Sequence, residues 1–140
     1  MNRVIERIAA AKRSGEVSRL VEAVPYASFM GISVVVVEGE LLGRLQFADH
    51  LIGNPMLPAL HGGVIGALLE STAIFQLMWE TEAILLPKTI TLTVDYLRSG
   101  RAVDTFARGG LTRQGRRVAC VRVDAWQDDR SRPIAVASAH

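Results

Sequence analysis

The sequence predicts an α+β fold in which a sheet curls around one buried helix. Two observations carry this prediction. From Gly62-Gly63 to Trp79 the only charged residue is Glu70, and the apolar residues cover every direction around a helical axis. On either side of that stretch lie runs with strand character, two before it and four after, separated by short turn signals. A chain of 140 residues that is 49% apolar suits one domain, 1–140, with one core.

In chain order, residues 2–12 and 16–24 read as two amphipathic helices, together an N-terminal helical segment over 1–24. Val4, Ile5 and Ile8 form the apolar face of the first, and Val17, Leu20, Val21 and Val24 that of the second. Ser14-Gly15 separates them and Pro25 is expected to end the second. The segment 25–31 leads into the sheet, and Tyr26 and Phe29 are expected to pin helix to sheet rather than line a pocket. Residues 32–37 and 41–47 read as a hairpin turning at Glu38-Gly39-Glu40. A polar loop over 49–60, containing Asn54, Pro55 and Pro58, delivers the chain into the Gly-Gly turn. After Pro87, strands are expected at 89–97, 103–112, 117–127 and 134–138, broken at Ser99-Gly100, Gln114-Gly115 and Asp128-Asp129.

Composition excludes several classes of function. The N-terminal MNRVIERIAAAKRSG lacks a long apolar run, so it reads as neither signal peptide nor membrane span, and a cytoplasmic protein without membrane partners is the expectation. A single cysteine, Cys120, excludes an internal disulfide and a multi-thiolate metal site; it is expected to fill the core. Net charge is +2, yet nine arginines face four aspartates between residues 98 and 132. A phosphate-bearing ligand explains that excess, as do solvated strand faces. Nucleic acid is not expected, because no recognition motif or aromatic platform accompanies the charge.

Glu70 is the residue with the most to explain. Its helical neighbours Gly66, Ala67, Ala73 and Ile74 cannot pair with a carboxylate. Burying an unpaired carboxylate costs several kcal/mol, so either a distant Arg or Ser satisfies it or it works there. At the Gly-Gly entry, missing side chains let a ligand approach N–H groups that have no intrahelical acceptor, and the helix dipole favours an oxyanion there. The alternative is a sharp turn that needs glycine for its positive φ.

The string GNPMLPALHGGVIGALLE, with an acid nine positions after His61, resembles the signature of hotdog-fold acyl-CoA thioesterases. The similar branch includes the PaaI-type phenylacetyl-CoA and the Arthrobacter-type 4-hydroxybenzoyl-CoA enzymes. The later TLTVDYLRSGR is similar to a V-D-Y-L-R run that follows the central helix in that family. The resemblance implies a hotdog fold, with an antiparallel sheet wrapped around the helix, and a homodimer that pairs into a homotetramer. It implies an acyl-CoA substrate and neither metal nor separate cofactor.

The implied site comprises Gly62 and Gly63 N–H groups as oxyanion donors and Glu70 as general base or nucleophile. His61 would orient the turn or contact the substrate carbonyl, and Asn54 would orient water or substrate. Ser71 and Thr72 either reach the water or face the core. The phosphates of CoA would meet Arg116 and Arg117 first, then Arg98, Arg113 and Arg101. Gly62 and Glu70 are eight positions apart, roughly 12 Å along a helix, so one thioester cannot touch both in one chain. If both act, the site is shared within an obligate dimer. Two rival readings remain: a hotdog hydratase or dehydratase pairing His50 with Glu70, and a non-catalytic acyl-CoA sensor in which Glu70 is dispensable.

Overall fold

The computed structural model describes residues 3–82 and 84–140, so the expected helix start at Asn2 lies outside the described residues. Three helices come first: α1 (Arg3–Ser14), α2 (Ser18–Glu22) and α3 (Pro25–Phe29). Then follow β1 (Ile32–Val37), β2 (Glu40–Leu45), a 3-10 turn (Asp49–Leu51), β3 (Ile52–Asn54), β4 (Ala59–Leu60) and the central helix α4 (Gly62–Glu80). The chain closes with β5 (Leu92–Tyr96), β6 (Thr105–Gln114), β7 (Ala119–Trp126) and β8 (Ala135–Ala139). Six strands form one antiparallel sheet in the order β1-β2-β6-β7-β8-β5, while β3 and β4 pair separately. This is the hotdog architecture that the resemblance implies.

The sheet wraps closely because its inner face is built of small residues. Ala107, Ala125, Ala135 and Ala137 are buried against a helix whose largest core side chains are Leu68, Leu69, Phe75 and Met78. At Gly43 a Cβ would collide with the Thr72 hydroxyl, and at Gly109 it would press on Gln76 at 3.3 Å. α4 is long and apolar enough to cross a membrane by composition, but here it is the core helix on which the sheet closes.

Two expectations change at the N-terminal side. Pro25 does not simply end the second helix; α2 stops at Glu22 and Pro25 begins α3, at a first position where its missing N–H costs nothing. Nor do Tyr26 and Phe29 pin helix to sheet. Ala27 and Met30 are the buried contacts, whereas Tyr26 and Phe29 are 66% and 71% exposed. The β1–β2 turn is tighter than expected, with Glu38 and Gly39 both at positive φ (52° and 77°), the signature of a two-residue hairpin loop.

One carboxylate ties this hairpin to the start of the neighbouring strand β6. Asp104 accepts the Phe47 N–H at 2.7 Å and the Arg44 guanidinium at 2.6 and 3.0 Å, and these bonds, the backbone one first, hold its carboxyl below its ordinary 3.8. A depressed folded-state pKa stabilises above the unfolded value and is lost as pH falls through the folded one. Asp104→Asn is therefore expected to cost about 1 kcal/mol at pH 7 and to flatten the loss of stability below about pH 4, as read by urea unfolding at the two pH values.

Candidate active site

The start of α4 is held by its own loop and by the β5–β6 connection. Leu60 N–H donates to Gly100 C=O at 2.8 Å and His61 N–H to Leu51 C=O at 2.9 Å. β3 lies directly against His61, since a Cβ on Gly53 would sit 2.6 Å from the His61 Cα. Gly53 thus allows β3 to approach His61 closely, and a lone glycine in a polar loop is the only trace of this in the sequence.

His61 is the helix N-cap, and its Nδ1 accepts the Gly63 N–H at 2.8 Å. In that bond Nδ1 carries no proton, so the ring proton sits on Nε2. Val64 N–H is taken by the His61 carbonyl at 3.0 Å. The Gly62 N–H has no acceptor among the described residues. The two glycine donors are therefore unequal: Gly63 is engaged by the cap and Gly62 is open. Beside it, the Tyr96 hydroxyl donates to the Gly62 carbonyl at 2.8 Å, with its ring atoms 3.5 Å from where a Gly62 Cβ would be. Tyr96 belongs to the V-D-Y-L-R run, but nothing local in that run points to the helix start.

Glu70 lies half-buried one stretch further along α4, and the Thr89 hydroxyl donates to its Oε1 at 2.8 Å. Its partner is thus neither Arg nor Ser. α4 also has a less covered side than its apolar pattern suggests: Gly63 is exposed, and Ala67, Glu70, Ile74 and Leu77, at steps of three and four, are half-buried. Along the same flank, β5 is an edge strand, and Ile90, Tyr96 and Leu97, in or next to it, are exposed.

The remaining candidates fall in different places. Asn54 is exposed, and its Oδ1 accepts the Met56 N–H at 3.0 Å, a local turn contact. Thr72 is fully buried against Gly43, facing the core, while Ser71 is half-buried. His50 packs against Phe29, ring centroids 6.2 Å apart, on the α3 side of the helix start.

Ion pairing sorts the arginines. Arg101 pairs with Asp128, Arg108 and Arg130 with Glu40, and Arg122 with Asp124, while Arg132 faces Asp129. Among the described residues Arg98, Arg113, Arg116 and Arg117 have no carboxylate partner. Arg113, Arg116 and Arg117 line one groove of about 640 Å³. Through Arg117, Val118 and His140 that groove joins a narrower apolar slot of about 140 Å³ that reaches Ile74 and Thr89. Arg98 is elsewhere, in a pocket of about 220 Å³ with Arg101, Asp128 and Arg132. Cys120 is half-buried on the wall of the arginine groove, not in the core as expected.

An antiparallel sheet closed on a long central helix defines the class as a hotdog protein. The sequence profile of the thioesterase superfamily matches residues 57–134, and the chain belongs to that superfamily; it is a thioester hydrolase. It is 29% identical over 144 residues to the medium/long-chain acyl-CoA thioesterase YigI of Escherichia coli strain K12, covering 92% of this chain and 91% of that protein. Among solved structures, a Chromobacterium violaceum protein is 44% identical with a TM-score of 0.76, covering 96% of this chain and 93% of that one. A phenylacetic acid degradation-related protein of Ralstonia eutropha JMP134 is 25% identical with a TM-score of 0.74, covering 88% of this chain and 96% of that one.

Proposed function

We propose that the protein hydrolyses acyl-CoA thioesters to the free acid and CoA, in active sites that each draw on two protomers. The observation that carries this reading is the placement of an open donor at Gly62 and a hydroxyl-held carboxylate at Glu70 on one helix. They are roughly 12 Å apart within a chain, too far for one carbonyl. The edge strand offers the remedy. Tyr96, at the end of β5, touches Gly62, whereas Thr89, just before its start, touches Glu70. Pairing two β5 edges antiparallel about a two-fold axis brings the Thr89–Glu70 end of one chain opposite the Tyr96–Gly62 end of the other. The same pairing covers the exposed apolar residues along that flank.

In this arrangement the thioester carbonyl oxygen accepts the Gly62 N–H, at a helix start whose dipole favours the developing negative charge. The partner's Glu70 then takes a proton from water as the water attacks the carbonyl carbon. Collapse of the tetrahedral adduct breaks the C–S bond, and the proton passes to the departing thiolate. Direct attack by Glu70, forming an anhydride that water opens, uses the same groups. Thr89 fixes one carboxylate oxygen and leaves the other for this work. Arg113, Arg116 and Arg117 meet the CoA phosphates in the groove that joins, through the narrower slot, to Thr89, the partner of Glu70. No metal or cofactor enters any step. The acyl-CoA activity of the Escherichia coli relative supports the substrate class.

Thiol release from a panel of aliphatic and aromatic acyl-CoAs tests the proposal. Turnover of at least one substrate is the expected result. Tight binding of acyl-CoA with no thiol release from any of them would instead identify a sensor.

A further inference from the structure

We infer that the acyl group lies in the groove between α3 and the first turns of α4, where Tyr26 and Phe29 select long hydrocarbon chains over short ones. This rests on the shared thioesterase site proposed above. The groove encloses about 420 Å³, well within the range of small-molecule sites. Its floor is apolar and buried, with Met30, Leu51 and Val64, and it opens at His61 and Gly63, next to the open Gly62 N–H.

Two rings form its rim and stay outside the buried core of the protomer. Tyr26 and Phe29 stack with centroids 5.9 Å apart, and Phe29 leans on His50, yet both remain mostly exposed while Ala27 and Met30 make the core contacts. Leaving two large aromatic side chains side by side in water is costly unless a ligand covers them.

Charge decides which arm of the thioester goes where. The two arms leave the carbonyl in different directions, and the phosphate-bearing arm needs cations. No Lys or Arg lines the α3 groove among the described residues, whereas Arg113, Arg116 and Arg117 line the groove on the Glu70 side. In the shared site that arginine groove belongs to the protomer supplying Glu70, and the α3 groove to the protomer supplying Gly62. The apolar arm therefore takes the α3 groove. A short acyl group rests on the floor without reaching the rim; a long chain covers both rings.

Steady-state hydrolysis of acetyl-, hexanoyl-, decanoyl- and phenylacetyl-CoA by wild type, Phe29→Ala and Tyr26→Ala tests this assignment. Because both side chains are exposed, neither variant is expected to unfold. For Phe29→Ala, kcat/KM for decanoyl-CoA should fall about tenfold or more, while that for acetyl-CoA stays within about twofold of wild type. Tyr26→Ala should shift the ratio the same way, and inhibition by free CoA should not change. A decanoyl-to-acetyl ratio that stays at the wild-type value in both variants would overturn the inference, as would a loss confined to phenylacetyl-CoA. Absence of thiol release from every substrate by the wild type is a distinct result, which removes the thioesterase reading itself.

Discussion

Glu70→Gln is expected to lower kcat for thioester hydrolysis at least about a hundredfold and to leave the protein folded. The substitution keeps the shape of the side chain and an oxygen able to accept the Thr89 hydroxyl, so the contact seen at 2.8 Å survives. What disappears is the charge and the capacity to take a proton from water or attack the carbonyl. General bases contribute about 10²- to 10⁴-fold, and a nucleophile no less, so the loss should be seen in kcat rather than in KM. Circular dichroism and thermal unfolding establish that the variant is intact. Equal rates in the two proteins would remove Glu70 from the mechanism.

Replacing Gly62 by proline should reduce kcat by about 10²- to 10³-fold through a backbone change alone. Gly62 is the first residue of α4, the position where proline is best tolerated and where the helix needs no N–H. The residue before it must be extended, and His61 already is, at φ −62° and ψ 131°. The substitution thus deletes the single open donor of the first turn and sets a ring carbon in its place, with little cost to the helix. Gly62→Ala is the control. It keeps the N–H, and its Cβ meets the Tyr96 ring at 3.5 Å, an ordinary contact, so activity should remain near wild type. If the alanine and proline variants lose activity alike, the donor assignment fails and the position matters only for shape.

The elements of this fold are legible where their signal is local. α4 shows itself through its apolar run and the Gly-Gly entry, and the strands show themselves through β-branched alternation between turn residues. The ends of elements are less so: Pro25 can close one helix or open another, and the chain does the second. The β3–β4 pair is too short, three residues and two, to give a period.

For the candidate site, the sequence marks Gly62 and Glu70 because each breaks a local rule, glycine at a helix start and charge in an apolar run. It does not mark what holds them. Thr89 and Tyr96 reach the helix from 19 and 34 residues away, and no spacing rule connects such positions. Nor does it separate Gly62 from Gly63, because that difference lies in the His61 ring folding back onto one N–H. The arginines likewise look alike in sequence; only the fold brings Glu40 to Arg108 and Arg130 and leaves Arg113, Arg116 and Arg117 unpaired.

The central claim is that each site takes its oxyanion donor from one protomer and its carboxylate from the other. Mixing the two inactive variants tests it most directly: Glu70→Gln and Gly62→Pro chains are co-expressed, or unfolded and refolded together, and thiol release is measured. A mixed dimer holds one site with both defects and one with none. Random assortment of equal amounts should therefore restore roughly a quarter of wild-type activity from two nearly inactive parents. A mixture no more active than the sum of its parents, despite demonstrated mixed dimers, would show that donor and carboxylate act within a single chain.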